Sequence, residues 1–339
     1  MRYEITELLG DGIGPELCQS LHTLADALPL TLDFIQIDLS LENRRKTGPK
    51  VYDMAYEAIL KTRFALKYPT VTEEESPNVV LRKLCNFSVI HRPVMTLPGV
   101  KSNFTKRLDL DIVRVATGGT YEDPGRMIGK DAAVSLRIVE RSTTQTAAIF
   151  AFELAKRTHK SVTSASKYTI QRVTDGLFED IVAQVEKRYP GVPHQKELFD
   201  ALLAKIIMHP ENFQVVLVLN EYGDFLSDMA CGLVGSMGIG ASGSYAFDEQ
   251  GNITLGLFDP AGGTAPDIAG KNKANPTAIF LAFSQLLFQL GEATLAALIR
   301  ESTLSLLEKG RTTPDLGGEY GTMEFTHEVI AEIKRRLTS

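Results

Sequence analysis

Short apolar runs that alternate with helical patterns constrain the fold of this chain more than any other feature. Two strand-like runs, Thr31–Ile37 and Phe64–Leu66, flank a helical pattern near Val51–Lys61. Such alternation is typical of βαβ units, in which helices connect parallel strands. The apolar stretch Ala278–Leu290 contains polar residues and is too short to span a bilayer, so we expect a buried helix there. The sequence therefore predicts an α/β fold with a mostly parallel sheet.

The stretch Asn220–Asp228 places two carboxylates shortly after a predicted strand. Gly223 offers a turn, and a helix that starts near Phe225 would follow it. Asp224 and Asp228 would then lie four residues apart, on one face at the start of that helix. Like charges so placed indicate a cation between them, and carboxylate ligands suit a hard divalent cation. Solvated acids that interact with the helix dipole are the alternative.

Composition limits the classes of partner. The chain has 339 residues and a formal net charge of -6, whereas nucleic-acid binding needs a basic face. We therefore expect neither a nucleic-acid nor a membrane partner. The three cysteines are far apart in the sequence, and the N-terminus lacks the pattern of a signal peptide. A reducing compartment, the cytoplasm, is the expected location.

The segment Gly10–Glu16 reads G-D-G-I-G-P-E and joins a predicted strand over residues 3–9 to a predicted helix Glu16–Leu28. Pro15 stands where the dinucleotide-binding fingerprint has its last glycine, so this is not a G-x-G-x-x-G motif. The segment resembles the opening of the β-decarboxylating dehydrogenases, the isocitrate and isopropylmalate dehydrogenase family.

This resemblance covers essentially the whole chain and implies a particular architecture. The family fold has two α/β domains with a large central sheet and is not a Rossmann fold. Residues 1–97 plus 235–339 would form a large cofactor-binding domain. Residues 98–234 would form a small substrate and dimerisation domain, in which the hairpin-like stretch 123–139 provides a clasp between the two chains of a homodimer.

Several cations lie beside apolar segments, where a partly buried arginine needs an anion. An internal salt bridge is the alternative for any one of them. The motif S-P-N-V-x-L-R-K at residues 76–83, followed by R-P-V at residues 92–94, resembles the isocitrate branch. Ser76 is also expected to cap the helix that Pro77 begins. The resemblance implies a set of residues that bind the substrate, Ser76, Asn78, Arg82, Arg92 and Arg114.

Three further residues are candidates for proton transfer. Tyr121, in a T-G-G-x-Y motif similar to the isopropylmalate branch, would be a general acid. Lys167 follows a predicted strand, where α/β proteins place chemistry, and a desolvated lysine can act as a base. A surface tyrosine and a surface lysine are the alternatives. The resemblance implies that Lys167 acts with Asp200, and that Asp200 of a neighbouring chain joins Asp224 and Asp228 as ligands of Mg2+ or Mn2+.

The segment 257–278 resembles the cofactor loop of the family, and its glycines and small polar residues expose backbone N–H groups to a pyrophosphate. NADP-type relatives tend to have Lys-Tyr where Asp267 and Ile268 stand. An acid near the adenine ribose repels a 2′-phosphate, so we expect NAD rather than NADP. The cofactor-binding residues implied are Gly263, Thr264, Ala265, Pro266, Asp267, Ile268, Asn275 and Asp315.

The resemblance implies oxidation of a 2-hydroxy acid by NAD, followed by loss of its β-carboxylate. Four departures from the family pattern concern residues near the substrate or the cofactor: Val115, Thr169, Gly262 and Asp259. A catalytically weakened, regulatory subunit-like relative is therefore the alternative. Retention of the three aspartates and Lys167 favours an active enzyme.

Overall fold

The computed structural model describes residues 1–73, 75–97, 99–100 and 102–338. The strands within these ranges are β1 Arg2–Leu9, β2 Thr31–Asp38, β3 Phe64–Lys67, β4 Val89–Met95, β5 Asp109–Val115, β6 Arg126–Ile128, β7 Ala132–Val134, β8 Val162–Ser166, β9 His194–Leu198, β10 Val215–Val218, β11 Ala241–Phe247 and β12 Ile253–Pro260. The helices are α1 Gly14–Asp26, α2 Leu41–Thr47, α3 Lys50–Thr62, α4 Pro77–Leu84, α5 Arg141–Thr158, α6 Thr174–Glu186, α7 Phe199–Met208, α8 Asn220–Val234, α9 Thr277–Gln289, α10 Ala293–Glu308 and α11 Thr322–Leu337.

One ten-stranded mixed sheet runs through the molecule in the order β2-β1-β3-β12-β11-β4-β5-β10-β8-β9. Its strands pair in parallel except around β4 and β11, which are antiparallel to each other and to their outer neighbours β5 and β12. The predicted α/β fold with a mostly parallel sheet is thereby confirmed. Strands β6 and β7 form a separate hairpin within residues 123–139, as expected for that segment.

The neighbouring strands β5, β10, β8 and β9 are parallel, so their carboxyl ends lie side by side along one edge of the sheet. Val218 of β10 is in register with Arg114 of β5, so α8 begins beside the end of β5. Ser166 of β8 is in register with Leu198 of β9, so Lys167 and the start of α7 are neighbours. The carboxyl ends of parallel strands are where α/β proteins bind ligands. This edge therefore carries most of the predicted site residues.

Helix α8 starts earlier than the sequence indicated. It begins at Asn220, immediately after β10, and Gly223 lies inside the helix rather than in a turn. Asp224 and Asp228 share one face as predicted, but they lie beyond its first turn, so the interpretation as acids at the helix start is wrong. A glycine costs about 1 kcal/mol inside a helix relative to alanine. The close approach of another side chain, described below, explains why one is present.

Helices cover both faces of the sheet, and the residues of each strand point alternately to one face and the other. In β4, His91 contacts Phe150 of α5, whereas Arg92 points to Ser227 of α8 on the other face. Helix α9 is largely buried, as expected for residues 278–290. No helix in the described part of the chain is long and apolar enough to cross a membrane.

Helix α4 corrects one local prediction. It begins at Pro77 with Ser76 at the N-cap position, as expected, but the Ser76 side chain accepts no capping hydrogen bond. Because this hydroxyl does not bond the helix backbone, it remains available to another partner.

Candidate active site

Arg114 is the best-buried cation of the site, with 1% of its surface exposed. It lies near the end of β5, and its Nε donates a 2.9 Å hydrogen bond to Oδ1 of Asn220 at the start of α8. Its Nη1 donates to the carboxylate of Asp224, one turn further along the helix. The arginine side chain passes directly over Gly223, which has no Cβ to block it. Two helical residues therefore fix the orientation of this guanidinium group.

Arg92 approaches the same carboxylates from β4. Its Nη1 donates a 2.5 Å hydrogen bond to Oγ of Ser227. The same atom lies 3.6 Å from Oδ1 of Asp224 and 3.9 Å from Oδ1 of Asp228. The predicted pair of acids is thus brought together with two of the three predicted arginines.

The arginines lie close enough to one another to affect their charges. Burial, and then the positive charges of Arg82 and Arg92, lower the pKa of Arg114 to about 9. Burial and the charge of Arg92 also lower the pKa of Arg82, which reaches the site from α4. Like charges concentrated in a partly buried position need anions. With Lys67 and Asp259, which also act on these arginines, four cations stand against three carboxylates, and this balance favours binding of an anionic ligand.

The two acids have opposite pKa shifts. Burial would raise the pKa of Asp224, but the charges of Arg114 and Arg92 outweigh burial and hold it below its ordinary value. Burial raises the pKa of Asp228; Arg92 opposes this rise and the Asp224 carboxylate adds to it. At Asp228 burial therefore outweighs the attraction of the neighbouring arginines.

Two buried polar atoms at the site have no hydrogen-bond partner within the described residues. They are Oδ1 of Asn78 on α4 and Nε of Arg92 on β4. Buried polar groups are usually bonded, so both atoms are available to a polar ligand. Both residues belong to the predicted substrate-binding set.

Tyr121 lies over the same cluster. Its hydroxyl donates a 3.2 Å hydrogen bond to Oδ2 of Asp224, and the Arg114 Cζ lies 5.9 Å from the centre of its ring. Burial, and then the charge of Asp224, raise its pKa. The phenol therefore keeps its proton at neutral pH, as a general acid must before it acts.

Lys167 and Asp200 form a second group. Their Nζ and Oδ2 atoms are 2.7 Å apart, and the hydrogen bond from Lys167 is the main cause that lowers the pKa of Asp200. Phe199, next to Asp200, stacks on Tyr222 of α8 at 4.3 Å between ring centres. Tyr222 and Asp224 are two residues apart, about 200° around the helix. Asp200 is therefore near the opposite side of α8 from Asp224.

The structure accordingly does not assemble the three predicted metal ligands within one chain. Within the described ranges, no group of three metal-ligating side chains includes Asp200, Asp224 or Asp228. The prediction that Asp200 acts in the site of a neighbouring chain requires this separation.

A buried ionic network connects the two groups, and no sequence pattern indicated it. Arg137 donates a 3.0 Å hydrogen bond to Asp175 and forms an ion pair with Glu221. Asp175 accepts from the backbone N–H of Lys167 at 2.7 Å. Glu221 accepts from the N–H of Thr120 at 3.4 Å, beside Tyr121. The network positions the lysine and the tyrosine loop relative to α8.

Lys67 is a further buried cation that sequence reasoning missed. It ends β3 and is 2% exposed, and its Nζ donates to the carbonyl oxygen of Tyr68 at 2.9 Å. Burial lowers its pKa to about 8, although the charge of Asp259 opposes the shift. Its position at the end of a strand, which identified Lys167, was the signal that could have found it.

The predicted cofactor loop packs against the glycine-rich turn at the end of β1. The backbone N–H of Ile13 donates a 2.9 Å hydrogen bond to the carbonyl oxygen of Thr264. A Cβ added to Gly12 would lie 2.0 Å from that oxygen, so this approach requires glycine. The chain between Gly263 and Asn275 thus has a fixed partner at its start, and its Asp267 side chain is exposed.

Asp315 anchors the other end of this region. Its Oδ2 accepts hydrogen bonds from Nδ2 of Asn275 at 3.0 Å and from Oγ of Ser236 at 2.8 Å. Its Oδ1 accepts from Oγ1 of Thr313 at 2.5 Å. The predicted cofactor-binding residues Asn275 and Asp315 are therefore neighbours.

The whole chain matches a known family. Residues 4–333 match the model of the isocitrate/isopropylmalate dehydrogenases. The chain belongs to the isocitrate/isopropylmalate dehydrogenase family. By family it is a β-decarboxylating dehydrogenase, an oxidoreductase, as the resemblance implied.

Individual members of the family come from both branches. A 3-isopropylmalate dehydrogenase of Methanothermobacter thermautotrophicus is 34% identical, over 98% of each chain. A mitochondrial regulatory subunit of the NAD isocitrate dehydrogenase of Dictyostelium discoideum is 32% identical, over 98% of this chain and 93% of the relative. The crystal structure of an isocitrate dehydrogenase from Methylococcus capsulatus superposes with a TM-score of 0.91 at 29% identity, over 98% of this chain and 99% of that one. This dehydrogenase is thus a divergent member with the family fold.

Proposed function

We propose that this protein catalyses the NAD-dependent oxidative decarboxylation of a 2-hydroxy acid that carries a β-carboxylate, a substituted malate such as isocitrate or isopropylmalate. The observation that carries the proposal is the convergence of Arg82, Arg92 and Arg114 on Asp224 and Asp228. A polyanionic substrate fits the positive charge that these residues leave uncompensated.

The residues of this chain would divide the work as follows. The three arginines hold the carboxylates, because guanidinium groups bind them with two parallel hydrogen bonds. Asn78 and Ser76 contact the remaining substituent, consistent with the unpaired Oδ1 of Asn78. The nature of that substituent distinguishes one substituted malate from another, so these two positions determine specificity.

A divalent cation fits the acidic face of α8. Asp224 and Asp228 offer hard oxygen ligands four residues apart on one face of this helix, and the Asp228 side chain is accessible to solvent. Asp200 of a second chain would complete the ligand set. When bound, Mg2+ or Mn2+ would act as a Lewis acid that polarises the hydroxyl oxygen and stabilises the enolate oxygen.

Proton transfers are assigned to the chain itself. Lys167, which is ion-paired with Asp200, would relay the proton of the substrate hydroxyl through that carboxylate to solvent, and NAD, when bound, would accept the hydride from the hydroxyl carbon. The β-carboxylate then departs as CO2. Tyr121, which is protonated at neutral pH, donates a proton to the enol carbon. Each step thus has a proton donor or acceptor among the residues of the two groups described above.

NAD would bind between the glycine-rich turn and the loop from Gly263 to Asn275, with Asp315 near the adenine end. Thr264, Ala265, Pro266 and Ile268 contribute backbone to this loop. The exposed carboxylate of Asp267 would accept hydrogen bonds from the adenine ribose and disfavour a 2′-phosphate.

A cytoplasmic homodimer with shared active sites follows from the same proposal. The hairpin exposes large apolar side chains: Met127 is 61% exposed, Ile128 58% and nearby Leu136 51%. Grouped apolar side chains on a surface favour a protein interface. We assign this hairpin to the small domain, residues 98–234, and the cofactor to the large domain, residues 1–97 plus 235–339.

The test is a screen for NADH formation with Mg2+ and a panel of substituted malates, each with NAD and with NADP. We expect turnover of at least one compound, with the higher kcat/KM for NAD. Asp224→Asn should abolish that turnover, whereas Asp53→Asn, at an exposed position on α3, should leave it unchanged. Full activity of Asp224→Asn would contradict the metal assignment.

A regulatory role is the second candidate, favoured by the similarity to the Dictyostelium regulatory protein and by the departures at Val115, Thr169 and Gly262. A chain with this role would bind the same acids without turning them over. Calorimetric binding of a substituted malate with no NADH formation from any member of the panel would identify this function and exclude the first.

A further inference from the structure

A second cluster of metal-ligating side chains lies away from the site described above, between β1 and α1. Glu7 is fully buried in β1, whereas Cys18 and His22 are partly buried and stand one turn apart on α1. One ligand atom of each lies within 4.8 Å of the others. The proposed enzymatic reaction uses none of the three.

We propose that Glu7, Cys18 and His22 form a binding site for Zn2+. Thiolate, imidazole and carboxylate are together the ligand set that zinc prefers, whereas Mg2+ takes oxygen ligands and avoids sulfur. Three protein ligands leave the fourth tetrahedral position to water.

The distances between the ligand atoms agree with this assignment. Ordinary zinc–ligand bond lengths place sulfur about 3.6 Å from nitrogen or oxygen in a tetrahedron, and nitrogen about 3.4 Å from oxygen. Here Sγ of Cys18 lies 3.8 Å from Nε2 of His22 and 3.6 Å from Oε1 of Glu7. The His22 nitrogen is 2.9 Å from that oxygen, because the two groups share a hydrogen bond. Only this last distance has to lengthen for the ion to enter.

Outer hydrogen bonds hold the carboxylate in place. Tyr68 donates to Oε1 of Glu7 at 2.7 Å, and Nε2 of Gln36 donates to Oε2 at 2.8 Å. The His22 ring stacks on Phe34 with 4.5 Å between ring centres. Metal ligands are commonly oriented by such outer partners. Residues of β2 and the residue after β3 therefore organise the cluster, which is not a chance proximity of side chains on a surface.

Solvent reaches the cluster through a cleft of about 460 Å3. Cys18, His22 and Gln36 line it, together with Asp38 at the end of β2. Glu7 is bonded to His22 and Gln36, which line the cleft, and the cleft, which also borders Gly10 and Gly14 of the glycine-rich turn, provides the entry path. An ion bound here would fasten α1 to β1, and so should raise the melting temperature of the folded protein by mass action.

Cobalt titration tests the proposal, because Co2+ occupies zinc sites and a cobalt–thiolate bond has a charge-transfer absorption band that oxygen ligands do not give. The protein, stripped with a chelator, is titrated in excess Mg2+, which saturates the site at Asp224 and Asp228. We expect the band to rise to one equivalent per chain, to disappear when Zn2+ is added, and to be unchanged in Asp224→Asn.

Substitutions test which residues bind the Co2+ ion that gives the band. Cys18→Ser should abolish it while the circular dichroism spectrum stays unchanged, and Tyr68→Phe should weaken Co2+ binding by about 10- to 100-fold through loss of an outer hydrogen bond. His209→Asn is the matched control, since His209 pairs with Glu211 at 3.5 Å without a nearby thiol. Absence of the band in the unmodified protein, or its persistence in Cys18→Ser, would overturn the proposal.

Discussion

Arg114 passes so close to Gly223 that a Cβ added to the glycine would lie 2.6 Å from both Cβ and Cγ of the arginine. The glycine therefore gives the guanidinium group its route to Asn220 and Asp224. This contact packs the end of β5 against α8 and fixes the position of the Arg114 guanidinium group relative to Asp224 and Asp228.

Gly223→Ala should displace Arg114 and impair activity without unfolding the protein. Losing a hydrogen bond to a charged group costs about 1.5–3 kcal/mol, which corresponds to roughly a 10- to 100-fold loss of kcat/KM. Steady-state kinetics with the best substrate measures this loss. Gly232→Ala is the control in the same helix, since an added Cβ there meets nothing within 4 Å. Equal kinetics for both variants would show that the close approach has no catalytic role.

Mixed dimers test whether active sites are shared. Lys167→Ala and Asp224→Asn should each be inactive alone, because each removes a residue from every site. If one chain supplies Lys167 and the other Asp224, mixed dimers contain one intact site, and random mixing restores about a quarter of the wild-type activity. Activity is assayed after the two variants are unfolded and refolded together. A mixture as inactive as its components would place both residues in the same chain's site.

Asp267→Asn should weaken the preference for NAD over NADP. The substitution keeps the size of the side chain and removes the charge that repels a 2′-phosphate, so kcat/KM with NADP should rise by about tenfold. The side chain is exposed, and stability should not change. Kinetics with both cofactors give the ratio. An unchanged ratio would remove Asp267 from the ribose pocket.

The buried acid Asp111 should make stability depend on acidic pH. It accepts hydrogen bonds from His91 at 2.8 Å and Lys160 at 2.9 Å. Burial would raise its pKa, but His91 and Lys160 hold the pKa far below its ordinary value. Its contribution is therefore complete above the unfolded pKa of about 3.9 and is lost as the pH falls below it.

Asp111→Asn removes this contribution. Urea unfolding at a series of acidic pH values should show a shallower loss of unfolding free energy for the variant than for the wild type. Asp131→Asn, at an exposed position, should follow the wild-type curve. Parallel curves for wild type and Asp111→Asn would contradict the assignment.

Local patterns were sufficient to predict the type of fold and the shared face of the two acids on α8. The alternation of strands and helices predicted the α/β sheet, and the spacing of Asp224 and Asp228 predicted a shared helical face. Predictions failed where a local signal was overruled by tertiary packing. Gly223 has the propensity of a turn, but the helix continues through it, and a glycine is needed there because the Arg114 side chain occupies the space where a Cβ would be.

Local patterns could not predict contacts between segments that are distant in the sequence. Arg137 meets Asp175 and Glu221 only after the segment that follows β7 has packed against α6 and α8. The cluster of Glu7, Cys18 and His22 shows no recognised metal-binding spacing, because β1 and α1 contribute to it across the turn that separates them. Lys67, by contrast, ends a strand much as Lys167 follows one, and the rule that identified one lysine applies equally to the other.

Because Tyr222 and Asp224 lie on opposite sides of α8, the specific activity of this protein should depend on its concentration. One side of α8 faces Asp200 and the other side faces the arginines, so each isolated chain contains two separate and incomplete parts of an active site. With the shared sites proposed above, the turnover rate per chain should be constant in concentrated solution. It should decline on dilution, because the dimer dissociates before its chains unfold.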